Sequence, residues 1–284
     1  MATARSVYSV IESKPTIEGA GVHLRRVFGF GDTLEHDPFL LMDDFRGEES
    51  WKYKKGFPSH PHRGIETITY VLAGTVKHSD SLGNKGTIRP GEIQWMTAGS
   101  GIIHEEMPKG DEQSRMHGFQ LWVNLPKKAK MMKPRYQEVK AATIPVVTLP
   151  EGGDVRVIAG QFQTTKGPVK DLIVDVEYFD VTLPPKASFE HPVAADRIAF
   201  MYIIAGEAGI GGKPGRLYGN YCGITLKDGD LVAVTASTEG TRFLLISGKP
   251  LNEPVAWGGP IVMNTEEELK QAFKEYQAGT FIKD

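Results

Sequence analysis

Short runs of alternating apolar and polar residues, separated by turn-forming residues, constrain the fold of this chain. Runs such as ETITYVLAGTVKHSD (66–80), VEYFDVTLP (176–184) and IAFMYIIAGEAGI (198–210) are rich in β-branched and aromatic residues, with Gly, Pro or Asp at their ends. The 32 glycines and 18 prolines among 284 residues supply many turns. Helical periodicity is nearly absent before residue 264. The pattern therefore predicts an all-β protein built from sandwiches or barrels.

One helix is predicted at the C-terminal end, in NTEEELKQAFKEYQAG (264–279). Thr265 and Glu268 have the spacing of a capping box, and acidic residues crowd the first turn, where the helix dipole favours them. Gly279 follows as a stop signal. We expect the helix to pack against a sheet through an apolar face made of Leu269, Ala272, Phe273 and Tyr276.

A weak internal repeat indicates two related domains. A YxxAG segment is preceded by a His-Pro pair and followed by a charged Pro-Gly or Asp-Gly turn in each half. The repeated elements are YVLAG (70–74) with RPGE (89–92), and YIIAG (202–206) with KDGD (227–230). We predict an N-terminal domain over 1–130, a polar and basic linker over 131–145, and a C-terminal domain with the closing helix over 146–284.

Composition narrows the function classes. A net charge of −2 argues against an extended nucleic-acid surface. No apolar segment reaches the length of a membrane-spanning helix, and the first residues lack the apolar core of a signal peptide. The single cysteine, Cys222, excludes an intramolecular disulfide and is expected to be a small buried hydrophobe. We expect a cytoplasmic monomer.

Four residues carry the chemistry that the sequence suggests. His60 and His62 stand at i and i+2 before an apolar strand, and His104 and Glu106 repeat this spacing. Side chains at i and i+2 of a strand share a face, so two facing strands could gather three imidazoles and a carboxylate. Such a set suits a divalent transition metal. The alternative is that these are ordinary surface polar residues before core strands, although the small residues of TAGSG (97–101) would leave room for a ligand.

The motifs around these histidines resemble those of the cupin superfamily, in which G…HxH…E…G is followed by PxG and a further His. The first motif is matched by Gly56, His60, His62, Glu66 and Gly74. The second motif is matched more loosely, by Gly91, Gly99, Gly101 and His104. Longer segments resemble one cupin family, the pirins, over essentially the whole chain. These segments are HPHRGIETITYVLAG, HSDSLGNKGTIRPGEIQWMTAGSGIIHEEMP, GFQLWVNLP, DPFLLMDDF and PIVMNTEEELKQAFKEYQAGTF.

The resemblance implies two tandem cupin barrels (double-stranded β-helix, jelly-roll-like) and a short C-terminal helix. It also implies one metal ion in the first barrel, held by His60, His62, His104 and Glu106. Many cupins take the carboxylate ligand from the position of Glu66, whereas the pirin pattern makes Glu66 a partner that hydrogen-bonds a ligating imidazole or Arg63. In the second half His191 has Val193 where a second histidine would be needed. We therefore expect a second barrel without a metal.

The ligand set predicts one divalent transition metal per chain. The family resemblance implies Fe(II), and ligand type alone also admits Mn(II), Ni(II), Co(II), Cu(II) and Zn(II). A tetrahedral ion would be saturated by four protein ligands, like a structural zinc. An octahedral ion would keep two positions open for chemistry.

Two classes of function follow from the resemblance. The first is a quercetin 2,3-dioxygenase-type enzyme that cleaves a flavonol or related small aromatic substrate with O2. In this enzyme Glu106 is the catalytic base, and the apolar residues expected to line the pocket are Phe57, Trp95, Met96 and Phe119.

The second class is a redox-responsive regulatory metalloprotein that acts through a protein partner, a transcription factor or a metabolic enzyme, without direct contact with nucleic acid or membrane. A sugar-phosphate isomerase, which other cupins support, would need a cationic pocket. The lysines of this chain cluster mostly outside the metal motifs, which disfavours that activity.

Overall fold

The computed structural model describes residues 2–211 and 215–283, and the chain divides into two compact units. The N-terminal barrel unit contains Lys14–Ala141 and Leu251–Asp284, and the C-terminal barrel unit contains Met1–Ser13 and Ala142–Pro250. The division differs from the predicted boundaries at both ends of the chain. The first residues belong with the second barrel, and the closing helix belongs with the first.

Strands are the main secondary structure of both units. In chain order they are β1 Ser6–Glu12, β2 Lys14–Glu18, β3 Val22–Phe28, β4 Phe39–Asp44, β5 Phe57–His62, β6 Ile65–Ala73, β7 Thr75–Asp80, β8 Lys85–Ile88, β9 Ile93–Thr97, β10 Ile102–Lys109, β11 His117–Asn124, β12 Arg135–Val139, β13 Val146–Thr148, β14 Asp154–Ala159, β15 Gln161–Phe162, β16 Thr165–Lys166, β17 Val176–Leu183, β18 Ser188–Pro192, β19 Ile198–Ile210, β20 Leu217–Gly219, β21 Cys222–Lys227, β22 Leu231–Gly248, β23 Ala256–Gly258 and β24 Ile261–Met263.

Helical structure is sparse, as the sequence predicts. The α-helices are the single turn α1 (Thr33–His36), which was not predicted, and α2 (Glu266–Gln277), which was. Short 3₁₀ turns occur at Ser50–Lys52, Lys127–Ala129 and Ala141–Thr143. The predicted all-β class with a C-terminal helix is confirmed. Within residues 2–211 and 215–283, no helix has the length and apolarity needed to cross a bilayer.

The N-terminal barrel unit is built from a seven-stranded sheet, ordered β12-β9-β6-β11-β4-β3-β2, and a four-stranded sheet, ordered β5-β10-β7-β8. Along β6 the inward-facing side chains change from apolar to polar and back to apolar. Ile65 and Val71 belong to two separate apolar clusters, and the residues between them on the same face are Thr67 and Thr69. The barrel interior is therefore apolar at both ends and polar in the middle, and the candidate site occupies that polar layer.

Strand β12 (Arg135–Val139) lies inside the predicted linker. It pairs antiparallel with β9, so that Gln137 stands opposite Trp95. The alternating sequence RYQEV suits an edge strand because one face can pack while the other stays polar. Part of the predicted linker is thus an integral edge of the first barrel's sheet.

The C-terminal barrel unit is a nine-stranded antiparallel sheet that curls around one large apolar cluster. Its two long strands, β19 and β22, pair with each other over most of their length. Strand β1, from the start of the chain, pairs with β21 at the sheet edge. This long-range pairing places residues 1–13 in the second unit.

The segment after residue 250 returns to the N-terminal barrel unit. There β23 and β24 form a hairpin, and α2 begins with the predicted capping box of Thr265 and Glu268. Leu269 and Ala272 are buried in a cluster with hairpin residues. Arg63, which is 2% exposed, donates to the Glu275 carboxylate at 2.8 Å and lies over a ring near the chain end, that of Phe281.

The Arg63–Glu275 pair should stabilise the docked helix. Hydrogen bonds from Lys283 and Arg63 lower the pKa of Glu275 to about 2. We expect Glu275→Gln to reduce the free energy of unfolding at pH 7 by roughly 2 kcal/mol, because a buried guanidinium loses its charged acceptor. Since the folded-state pKa lies below the unfolded value, the stabilisation is complete above about pH 4.5 and disappears as the pH falls toward 2.

Hydrogen exchange of residues 266–277 and chemical denaturation, each at pH 7 and pH 3, check this expectation. Glu267→Gln removes the same charge from an exposed position of the same helix and serves as the matched control. Equal effects of the two substitutions would contradict the role given to the ion pair.

Candidate metal centre

Strands β5 and β10 bring three imidazoles together in the wall of the N-terminal barrel. His60 and His62 share one face of β5, and the antiparallel pairing places His104 directly opposite His60. The Nε2 atom of His60 lies 3.1 Å from Nε2 of His62 and 3.0 Å from Nε2 of His104. Among the described residues, these three form a group whose possible ligand atoms all lie within 4.8 Å of one another.

Backbone carbonyls fix the tautomers of the first two rings. Nδ1 of His60 lies 2.9 Å from the Pro58 carbonyl oxygen, and Nδ1 of His62 lies 3.0 Å from that of Pro260. A carbonyl oxygen can only accept, so each Nδ1 must carry the proton and donate. In a neutral ring the Nε2 atom then bears a lone pair, which is the form that binds a metal.

A second histidine holds the third ring. The Asp80 carboxylate lies 3.2 Å from Nε2 of His78, and Nδ1 of His78 lies 3.5 Å from Nδ1 of His104. Because the carboxylate accepts, His78 donates from Nε2 and presents the Nδ1 lone pair to the Nδ1–H of His104. The Nε2 atom of His104 therefore also carries a lone pair. His78 and Asp80 stand at i and i+2 on β7, a spacing that could have been recognised in the sequence beside the other two pairs.

Burial keeps these rings neutral. It lowers the pKa of His62 to about 3, with a smaller contribution from His60, and lowers the pKa of His104 well below its usual value. Neutral lone pairs about 3 Å apart repel one another unless a cation lies between them. The three histidines thus fit a divalent metal ion.

Glu106 lies on β10 beside this group but outside its tight cluster. It lines the same cavity as His60 and His62, and its Oε1 lies 2.9 Å from the Thr69 hydroxyl. The Thr69 hydroxyl also lies 2.9 Å from the Gln120 side-chain oxygen. Thr69 has one hydroxyl proton, so when it donates to ionised Glu106 the Gln120 amide must turn its Nε2–H toward the Thr69 oxygen. The role of Glu106 as a fourth ligand stays a prediction.

Two residues expected to support the ligands have other contacts. Glu66 is fully buried, and its Oε1 accepts from Thr97 at 2.6 Å; its described bonds do not reach an imidazole. Strand alternation explains this, because Thr67 and Thr69 face the barrel interior and Glu66 faces the other way. Arg63 is directed to Glu275 and the chain end. The acceptor that orients His62 is instead the Pro260 carbonyl, 198 residues away in the sequence.

A cavity of about 580 Å³ opens beside the histidines. Of the four residues expected to line it, only Phe57 does so. Trp95 and Phe119 alternate with the inward residues of their strands and are buried on the opposite face, and Met96 packs in the apolar cluster with Ile65. The aromatic residues that do line it, besides Phe57, are Phe30, Phe45, Trp122 and Trp257.

A charged pair forms part of the cavity wall. Arg26 donates to both oxygens of Asp43, at 2.9 and 2.8 Å, and also pairs with Glu18 at 2.9 Å. Burial raises the pKa of Asp43 to about 6, although Arg26 opposes the shift. Sequence patterns pointed to none of these residues as functional, because their shared position depends on the register of three strands.

Comparison with known proteins places the chain in a family. The family model for pirin matches residues 21–123, and that for the pirin C-terminal cupin domain matches residues 178–282. The chain belongs to the pirin family. A pirin-like protein of Caulobacter vibrioides is 46% identical to this chain over 278 residues, which cover 98% of this chain and 99% of the relative.

Two further relatives carry the name of an activity. A protein of Pseudomonas aeruginosa, provisionally named a quercetin 2,3-dioxygenase, is 39% identical over 284 residues, with coverage of 98% and 99%. The crystal structure of quercetin 2,3-dioxygenase from Acinetobacter baumannii superposes with a TM-score of 0.88 at 31% identity, covering 98% of this pirin and 99% of that chain. The predicted pair of tandem cupin barrels is thereby confirmed.

The histidine of the second barrel lies in different surroundings. Nε2 of His191 lies 3.2 Å from a carboxylate oxygen of Glu177, and the ring packs against Phe162 and Phe179. These contacts suit a structural histidine. The absence of a metal from the second barrel stays a prediction.

Replacing one ligand histidine should empty the centre. We expect His60→Ala and His104→Ala each to reduce the metal content of purified protein well below one ion per chain, because two imidazoles lose the third donor. His191→Ala is the matched control and should retain the wild-type content. Elemental analysis with circular dichroism as a folding check measures this, and full metal retention in either ligand variant would refute the assignment.

His78 should tune the affinity of the centre without binding the metal itself. Removing the partner that orients a ligating imidazole typically weakens metal binding about 10–100-fold, and we expect His78→Ala to fall in this range. His23→Ala, in the same unit and in edge-to-face contact with Trp51, is the control. Competition with a chromophoric chelator gives the affinities; unchanged affinity in His78→Ala would show that His104 needs no such support.

Proposed function

We propose that this chain is a metal-dependent oxygenase of the quercetin 2,3-dioxygenase type, acting on a flavonol or a related flat phenolic compound with O2. The observation that carries the proposal is the convergence of three imidazole lone pairs and the buried carboxylate of Glu106 at one wall of an aromatic-lined cavity. The names of two relatives similar over nearly their whole length support it.

His60, His62, His104 and Glu106 would hold the ion, which we propose to be Fe(II). A bound ion would supply Lewis-acid stabilisation of the flavonol anion and a route for electrons between that anion and O2. An ion with more than four coordination positions would keep room for substrate beside these four protein ligands. Mn(II), Ni(II), Co(II) and Cu(II) remain compatible with the same donors.

Glu106 is suited to accept the proton of the substrate hydroxyl. Burial raises the pKa of Glu106 to about 7, and the hydrogen bond from Thr69 opposes the shift only in part. A cation held beside the carboxylate would lower this pKa and favour the ionised form, which is the form that can accept a proton. Thr69 donates to Oε1 of Glu106, and Oε2 would accept the substrate proton when it is not bound to the ion. In this reaction both atoms of O2 enter the substrate's central ring, and one ring carbon leaves as carbon monoxide.

The cavity binds and shields a flat molecule. Its volume of about 580 Å³ lies within the usual range for small-molecule sites. Aromatic side chains such as Phe57 and Trp122 exclude water from the reacting atoms. Among the described lining residues Arg26 is the one Lys or Arg side chain, and both Glu18 and Asp43 engage it. The cavity therefore offers no free cation for a sugar phosphate.

Anaerobic purification, metal reconstitution and exposure to quercetin with O2 test the proposal. We expect loss of the flavonol absorbance and release of carbon monoxide with one or more of Fe(II), Mn(II), Ni(II), Co(II) and Cu(II). Glu106→Gln should lower kcat by at least about 100-fold, the usual contribution of a general base. Glu66→Gln removes a buried carboxylate facing away from the cavity and should keep most of the activity.

Two results would contradict this account. Greater damage from Glu66→Gln than from Glu106→Gln would move the carboxylate role to Glu66. A stoichiometric ion with no turnover under any metal would favour the regulatory function, in which the metal centre alters the surface offered to a protein partner.

A further inference from the structure

A row of polar side chains crosses the inner face of the N-terminal barrel away from the histidines. In the antiparallel register Thr69 stands opposite Gln120, Gln120 opposite Asp43, and Asp43 opposite Arg26. Directly opposed residues share a face of the sheet, so these four side chains lie side by side on four adjacent strands. Three of them, Arg26, Asp43 and Gln120, line the cavity.

The row begins at the metal centre and ends well away from it. Thr69 touches Glu106, and each strand lies about 4.8 Å from the next, so Asp43 is roughly 10 Å from Thr69 across the sheet. That distance is comparable to the separation between the two ends of a three-ring aromatic molecule. A substrate whose reacting end meets Glu106 can therefore reach Asp43 with its other end.

The far end of the row is rich in acceptors. Two carboxylates, Glu18 and Asp43, surround the single guanidinium of Arg26, so the ionised cluster carries an excess negative charge. Arg26 occupies one position on each Asp43 oxygen, and each oxygen has a further lone pair. Gln120 adds its amide oxygen when its Nε2–H bonds Thr69. Such a surface binds hydroxyl donors and repels a carboxylate or phosphate.

Aromatic rings accompany the polar row from the centre to the surface. The Trp122 ring packs edge-to-face on His62 with centroids 5.0 Å apart, Trp257 lies 6.1 Å beyond it, and Phe30 lies 5.4 Å from Trp257. Phe30 is 76% exposed, so the series ends at solvent. Trp257 donates its Nε1–H to the Gly259 carbonyl, which leaves its ring as an apolar surface. The cavity thus combines stacking surfaces for a flat molecule with acceptors along one side.

We propose that Asp43 and Gln120, with Arg26 holding Asp43 in place, form a distal subsite that binds the hydroxyl groups on the substrate ring remote from the metal centre. The chain then selects flat phenols that carry hydroxyl groups at both ends. The inference rests on the proposed function, which identifies the end of the substrate that reacts beside Glu106. It adds a specificity determinant that the metal ligands do not provide.

The test compares three flavonols that differ only in the hydroxyl groups of the pendant ring: galangin with none, kaempferol with one and quercetin with two. Binding to the metal-loaded protein is measured without oxygen by quenching of tryptophan fluorescence, so it does not require turnover. A hydrogen bond to a charged group is worth about tenfold or more in affinity. We expect the Kd of quercetin to be at least about tenfold below that of galangin, with kaempferol between them.

Asp43→Asn should remove most of this discrimination by weakening quercetin binding about tenfold and leaving galangin unchanged. In turnover it should raise the KM for quercetin with little change in kcat, because the subsite does not touch the reacting atoms. Asp111→Asn, at a partly exposed carboxylate also bonded by an arginine, is the matched control. It should leave all three Kd values at the wild-type level.

The outcomes separate this proposal from the dioxygenase activity. Equal affinities for the three flavonols, or no binding of any, would overturn the distal subsite, and the wild-type ranking decides this even if Asp43→Asn fails to fold. Discrimination without turnover in O2 would support the subsite and count against the dioxygenase. Turnover of all three with equal kcat/KM and equal Kd would support the dioxygenase alone.

Discussion

The crowding of three neutral imidazoles inside the barrel wall is the constraint on which the rest of the site depends. Their Nε2 lone pairs stand about 3 Å apart, an arrangement that is unfavourable in the absence of a bound cation. It persists because each ring is held from behind through Nδ1. The carbonyls of Pro58 and Pro260 and the ring of His78 hold the three imidazoles, so the candidate metal centre is preorganised by groups outside the predicted ligand set.

One of those holding groups comes from the C-terminal segment of the chain. Pro260 orients His62, and Trp257, on the same hairpin, lines the cavity. The hairpin is tied down from two sides: Lys130 donates to the Val262 carbonyl, and Arg63 binds Glu275 on helix α2. The stability of the docked segment is therefore coupled to the geometry of the candidate metal centre. A substitution in helix α2 can therefore alter the site even though the substituted residue does not contact any of the three histidines.

The sequence predicts the elements that depend on local pattern. Alternating runs give the all-β class, the Thr265–Glu268 spacing gives the start of helix α2, and the i, i+2 histidines indicate a shared face. Features that depend on which strands pair could not be derived. Phe119 was expected in the cavity, whereas the register places its neighbour Gln120 there. Successive residues of a strand face opposite sides of the sheet, and for the same reason Glu66 faces away from the cavity.

The exchange of chain ends between units has the same origin. Nothing local to β1 specifies that it joins β21, more than 200 residues later, and nothing local to helix α2 specifies the first barrel. Such long-range pairing depends on which apolar faces have complementary surfaces in the folded chain. The same pairings also bring the distal polar row together, so the residues that line the cavity were less predictable from the sequence than the histidine cluster.

The most direct test of the account is a crystal structure of the iron-loaded protein with anomalous diffraction recorded at the iron edge. The account predicts one peak per chain in the N-terminal barrel, about 2.1 Å from the Nε2 atoms of His60, His62 and His104, with Glu106 within bonding distance. A peak elsewhere, or an ion bound by the histidines while Glu106 keeps only its bond to Thr69, would contradict it.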